Sequence, residues 1–240
     1  MSYTRESIIK EIDDFIATGD LGLLYDQNFV KRRGSKGKYM RFAAERLLEY
    51  SEELKNIPAA RRKDSYNTQH DGTTPRPADG RKGEKAEDRI AMKFFKKTLP
   101  HLGSVIDYQT PLKDGRDSAI DLLAYNGESI YILELKRPDS KETLLRCVLE
   151  AYTYYRMVDK NKLLHDFYDE LQEVSRSEKT PCLRKAALVS FVDKGRAPYT
   201  DFNDTSVKKL MKALGVDLFV LDENGKTIIE AHYFEELEGL

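Results

Sequence analysis

The chain has 240 residues, 34% of them charged, with 40 Lys and Arg against 41 Asp and Glu. That is length enough for one sizeable domain with elaborations or two small ones, and a net charge of −1 excludes a global basic field, so any nucleic-acid partner must be met by a local patch. Two cysteines, Cys147 and Cys182, without C-x-x-C spacing argue against zinc or a disulfide framework, and no run approaches the roughly 18 apolar residues of a membrane span, so a soluble cytoplasmic protein with no membrane partner is expected.

In chain order, Ile8, Ile12, Phe15 and Ile16 recur at helical spacing, and "TGD" places Gly19 where a helix C-terminus wants a glycine. Met40, Ala43, Leu47, Tyr50 and Leu54 repeat the pattern after the basic connector "KRRGSKGK", giving a helical N-terminal extension over residues 1–55. Residues 56–82 are rich in Pro, Gly, Asp and Thr and poor in large aliphatics. Such a stretch is a linker, or a long loop ordered by something else.

From residue 83 the pattern becomes denser. "EKAEDRIAMKFFKKTL" reads as a helix ending at Pro100, and "SVIDYQTPL", "SAIDLLAY" and "SIYILELK" read as three strands. Asn126-Gly127 between the last two signals a tight hairpin, since both central residues of a type I′ turn need positive φ. "DSKETLLRCVLEAYTYYRMV" reads as a helix with Asp139 and Glu142 spaced as a capping box. A second helical stretch follows near 161–174, then a strand at "KAALVSFV". Asp204 opens a helix that stops at Gly215, and a final strand and hairpin turn around Asn224-Gly225. Short turns make the first three strands antiparallel, and the helical crossover makes the next one parallel, so a mixed sheet with helices on both faces is expected. "IYILEL" is apolar on both sides and belongs in its middle.

The end of that strand is charged. Folding the hairpin symmetrically pairs Tyr125 with Glu128 and sets Asp121 opposite Ile132, with Glu134 and Lys136 on the same face and Glu134 diagonal to Asp121. Two close carboxylates repel, and each is costly to bury alone. A hard divalent cation such as Mg²⁺ or Mn²⁺ resolves both problems through oxygen ligands. It lowers the pKa of a bound water and polarises a phosphoryl oxygen, while Lys136 stands beside charge developing in the transition state. That combination suits phosphodiester hydrolysis. The plainer alternative is a solvated Glu134–Lys136 pair where the strand leaves the sheet, with Asp121 capping a nearby backbone group.

Asp121, then Glu134-Leu135-Lys136 after a turn, with the acidic helix "GEKAEDRI" before them, resembles the PD-(D/E)XK, or restriction-endonuclease-like, nuclease superfamily over roughly residues 83–192. The resemblance implies an α/β restriction-endonuclease-like fold over 83–240, a mixed β-sheet flanked by helices, and a metal-dependent nuclease acting on DNA. It implies Mg²⁺ or Mn²⁺ as cofactor, Asp121, Glu134 and Glu87 as metal ligands, and Lys136 assisting hydrolysis. Glu87 is preferred to Glu84 because it projects near the centre of the apolar stripe of Ile90, Ala91, Phe94 and Phe95, where an acid needs a partner. The family's Q-x-x-x-Y pattern is met by "EAYTY", with Glu150 in place of glutamine and Tyr154 kept; Ile120 replaces the proline often found before the aspartate. With Arg146, Glu150 and Tyr154 form an i, i+4 row expected to face solvent. Arg32, Arg33, Lys36, Lys38, Arg81 and Lys82 flank the 56–82 segment and, with Glu150 and Tyr154, are candidate nucleic-acid contacts.

Two other readings stand beside this one: a catalytically inactive nucleic-acid- or protein-binding module on the same fold, and a phosphohydrolase of small molecules. His70, His101, His165 and His232 are scattered without H-x-x-x-H spacing and read as surface or loop residues. Gly80 and Gly83 precede a helix without the G-K-[ST] of a P-loop.

Overall fold

A computed structural model describes residues 4–31, 36–73, 86–114, 118–137, 140, 142–177, 179–190 and 199–237. Helix α1 (Arg5–Thr18) begins at a capping box made by Thr4 and Ser7 and ends at Gly19, whose φ of 70° lets its N–H reach back to the Ile16 carbonyl. A 3-10 turn (Leu21–Asp26) and the short α2 (Asn28–Lys31) lead to α3 (Lys36–Glu49). Leu54, which continues the apolar series of α3, sits in a separate 3-10 turn (Glu53–Asn56). Ile8, Ile12, Met40, Ala43 and Leu47 bury themselves against residues of two later helices, α5 (Leu144–Met157) and α8 (Thr205–Leu214). The N-terminal helices therefore share one core with the rest of the chain.

Among the described residues, seven strands form one mixed sheet in sequence order. They are β1 (Thr98–Leu99), β2 (Gly103–Pro111), β3 (Ala119–Tyr125), β4 (Ser129–Lys136), β5 (Cys182–Ser190), β6 (Asp217–Leu221) and β7 (Ile228–His232). The β1–β4 pairings and the β6–β7 pairing are antiparallel, and β4–β5 and β5–β6 are parallel. All eight residues of β4 are buried, as its two-sided apolar pattern requires.

One face of the sheet is covered by α5, α8 and the N-terminal helices. The other carries Tyr108, Leu122, Leu133, Leu135, Leu188 and Phe219 against Ala91 and Phe94 of α4 (Ala86–Phe94). This α4 stops six residues short of the expected Pro100. Lys96 adopts a φ of 60°, and its N–H bonds to the Val105 carbonyl, so the chain leaves the helix and enters the unexpected β1. The stretch expected near 161–174 is two helices, α6 (Lys160–Asp166) and α7 (Tyr168–Val174), broken at Phe167. Both pack with Tyr66, Ile132 and Tyr154 in a third apolar cluster.

The part of 56–82 that is described is a loop ordered by the sheet and helices around it. Tyr66 is fully buried; its N–H donates to Asp166 and its hydroxyl accepts from the Asp159 amide. Ala60 donates to the Met157 carbonyl, and Asp114 accepts from the amides of Lys63 and Asp64. Among the described residues no helix is long and apolar enough to cross a membrane.

Candidate active site

The β3–β4 turn is wider than Asn126-Gly127 alone predicts. Asn126 Oδ1 accepts the amides of Glu128 (3.0 Å) and Ser129 (2.8 Å), and only Gly127 of the pair has positive φ. The side chain thus holds a four-residue loop in place of a type I′ turn. Tyr125 pairs with Ile130 rather than Glu128, and Leu122 with Leu133. A shift of two residues keeps the faces and changes the partner: continued by one rung, this register sets Asp121 beside Glu134 rather than diagonal to it.

Asp121 is half-buried and accepts two donors, Gln109 Nε2 at 2.9 Å and the Leu135 amide at 2.8 Å. The second bond stands where a backbone carbonyl would otherwise complete the ladder between β3 and β4. The expectation that Asp121 could cap a nearby backbone group is met here; the solvated Glu134–Lys136 pair offered with it is not. Glu134 is 4% exposed and Lys136 3%. Lys136 Nζ lies 2.5 Å from Glu134 Oε1, 3.0 Å from Glu142 Oε2 and 3.0 Å from Glu150 Oε2.

Two of those three partners correct the sequence reading. Helix α5 starts after Thr143, whose hydroxyl accepts the Arg146 amide at 3.2 Å. The expected capping box is therefore absent: Asp139 lies outside the described residues, and Glu142 is spent on Lys136 and on Arg146 (2.7 Å). The row Arg146, Glu150, Tyr154 does not face solvent. It packs onto β4, with Glu150 7% exposed and Tyr154 donating to Glu150 Oε1 at 3.1 Å. A helical row of charges looks the same in sequence whether it meets water or a buried lysine.

The cluster holds more acid than base. Burial, then the charges of Asp121 and Glu150, push the Glu134 carboxyl well above the ordinary range, and Glu134 shares a hydrogen bond with Glu150. Burial pushes Glu150 up as well, but Lys136, the bond to Glu134 and Arg146 together hold it below its ordinary value. Burial pulls Lys136 down, yet Glu134 and Glu150 outweigh it and keep the amine firmly charged. Tyr154 is pushed well up by burial and then by Glu150 and Glu134. Beyond it stands Tyr25, edge-on at 5.3 Å between ring centroids.

The side chains of the other expected site residues lie outside the described residues. Glu87 is on α4, whose apolar stripe packs on the sheet face opposite to Asp121, Glu134 and Lys136, and its side chain lies outside the described residues. The same is true of the side chains of Lys36 and Lys38 in the first turn of α3, while Arg32, Arg33, Arg81, Lys82 and Glu84 lie wholly outside. Gln109 was not legible as a site residue; its backbone φ of 50°, beyond a bulge in β2, aims its amide at Asp121. His70 lies in a loop, as expected. It stacks on Tyr108 and meets the buried Asp107 carboxylate at 2.8 Å, which also accepts from Thr110 at 2.6 Å.

Among the described residues no group of three or more His, Cys, Asp or Glu is arranged to hold a metal ion. The donor chemistry nevertheless fits a hard divalent cation: Asp121 and Glu134 present carboxylate oxygens on neighbouring strands, where acid exceeds base. Comparison of the chain with protein-family models, with curated proteins and with solved structures finds no match in any of the three.

Proposed function

We propose that the chain is a metal-dependent nuclease of the PD-(D/E)XK kind on a restriction-endonuclease-like fold, hydrolysing phosphodiester bonds, with DNA as substrate. One observation carries the reading: Asp121, Glu134 and Lys136 lie on one face at the ends of β3 and β4, with carboxylates in surplus around a single buried lysine. Asp121 and Glu134 would hold Mg²⁺ or Mn²⁺, which supplies an activated water and neutralises phosphate charge when bound. Gln109 and the Leu135 amide fix the Asp121 carboxylate, so its orientation is set before any ligand arrives. Lys136, kept charged by Glu134 and Glu150, brings its ammonium to the negative charge that builds on a phosphate oxygen as the bond breaks. Glu150 and Tyr154 hold that lysine in line from α5.

A cleavage assay on single- and double-stranded DNA and RNA, with Mg²⁺, Mn²⁺ or chelator, tests this directly. Asp121→Asn is the informative variant. Its amide keeps an acceptor for the Leu135 N–H, and Gln109 can turn its oxygen to the new NH₂, so the thermal midpoint should stay close to that of the parent while cleavage is lost. Cleavage that survives Asp121→Asn, or that ignores chelator, would overturn the assignment.

A second reading, an inactive binding module on the same fold, draws on the saturation of Lys136 by three glutamates. It predicts metal-independent binding of nucleic acid or protein without turnover, and unchanged binding in Lys136→Met.

A further inference from the structure

At the far end of α5 from Lys136 the imbalance is reversed. Lys185, on β5, points its ammonium at the rings of Tyr155 (4.1 Å to the centroid) and Tyr152 (5.8 Å). Lys160, at the start of α6, places its own ammonium 3.9 Å from the centre of the same Tyr155 ring. Neither amine has a hydrogen bond or ion pair among the described residues. Arg156, the next residue on α5, gives Nη2 to the Lys55 carbonyl and buries Nε without an acceptor. Gly215 borders the amine from the end of α8: a Cβ there would come within 3.2 Å of Lys185 Nζ.

The charged groups acting on Lys185 include Lys160, Arg156 and Arg184, which repel it, and Asp217 and Glu235, which attract it; Glu235 is bonded to Arg184 at 2.9 Å. Asp217 is already spent. Arg184 grips both its oxygens at 2.9 and 3.0 Å, and the Phe234 amide adds a third bond. Two ammoniums thus meet at one tyrosine-lined corner with a guanidinium acting on it, and the two carboxylates that attract Lys185, Asp217 and Glu235, are both bonded to Arg184. Like charges gathered at half-buried positions are costly unless an anion completes them.

We propose that Lys185, Lys160 and Arg156 form a binding site for a phosphate-type oxyanion, with Tyr155 as its aromatic wall. Oxyanions of this class take charge-assisted hydrogen bonds from ammonium and guanidinium donors. Burial, and then Lys160, bring Lys185 down to about 8, so the amine gives up its charge readily until an oxyanion arrives to stabilise it. The site is independent of the hydrolytic reading, because it uses neither Asp121, Glu134 nor Lys136. Its ligand is a small free phosphate or a phosphate of a nucleic-acid strand.

The test follows the Lys185 amine in the full chain by NMR of lysine labelled at Cε and Nζ, titrated with pH in sodium chloride and in sodium sulfate at equal ionic strength. Sulfate keeps its charge throughout. Its presence should raise the Lys185 midpoint by about one unit, equivalent to roughly tenfold preference for the charged amine, and Lys160→Gln should remove most of that rise. Inorganic phosphate and a short oligonucleotide without terminal phosphates form two further arms. A rise with inorganic phosphate alone identifies a small ligand, and a rise with the oligonucleotide identifies a strand. A midpoint identical in chloride, sulfate, phosphate and oligonucleotide overturns the proposal, as does a rise that Lys160→Gln leaves intact.

Discussion

The two ends of α5 bury charge in opposite ways. At its start, Glu134, Glu142 and Glu150 crowd around Lys136, with Asp121 beyond. At its end, Lys185 and Lys160 meet at Tyr155 within the field of Arg156, while Asp217 and Glu235 are bonded to Arg184. Between these extremes lies Arg184–Asp217, where a bidentate guanidinium and a backbone amide hold the carboxylate and Glu235 takes a further bond from the guanidinium. A closed pair of that kind is self-sufficient and needs only the fold. At the two unbalanced ends burial and like charge work against ionisation, pushing the Glu134 carboxyl well up at one and bringing the Lys185 amine down at the other.

The comparison breaks most severely at Lys136. Lys136→Met keeps the aliphatic stem but strands three glutamates, and should cost on the order of 4 kcal/mol in denaturant unfolding. Under the nuclease reading, turnover at matched folded fraction should also fall by about 100-fold or more while divalent-ion binding survives. If metal affinity and turnover fall together, Lys136 organises the site and plays no chemical part. Arg184→Met isolates Asp217, which is 0% exposed. It should cost about 3 kcal/mol, less than Lys136→Met because Arg184 itself reaches solvent. A loss under about 1 kcal/mol would mean that this pair is not the closed reference it is taken to be.

Lys185→Met should have the opposite sign and the smallest size, a gain of roughly 1–2 kcal/mol near neutral pH in a buffer free of phosphate and sulfate. The folded value of about 8 lies below the ordinary 10.5. The penalty of the buried ammonium is therefore complete below about 8 and fades as pH rises towards 10.5, because the folded state sheds its proton first. The gap between the parent and Lys185→Met should close over that window. A gap independent of pH would assign the effect to packing.

Much of the frame was legible because it depends on local chemistry. Gly19 and Gly215 end helices through positive φ, Asp204 accepts the Ser206 amide as an N-cap, and the two-sided apolar run of β4 could only be central. What failed depends on where a side chain spends its bonds. Asn126 carries the composition of a two-residue turn but uses its oxygen to hold four residues, which moved the register. Glu142 has the spacing of a cap and serves a lysine instead. Asp107 and His70 are 37 positions apart and meet only because the loop after Tyr66 runs along β2. The shared face of Asp121, Glu134 and Lys136 was legible from alternation, which survives a two-residue slip; their partners on α5 were not, because burial of a charged row leaves no mark on its spacing.

The bond from the Leu135 amide to Asp121 has a consequence for measurement. That amide sits in a strand buried along its whole length, yet its protection from solvent exchange depends on one carboxylate rather than on a neighbouring backbone. Its exchange rate is a local gauge of how firmly Asp121 is engaged. A ligand that draws the carboxylate away would quicken exchange at Leu135, while amides deeper in β4, such as Leu133 opposite Leu122, would keep their rates. One backbone position can thus register occupancy of the site without a substrate, a product or a label.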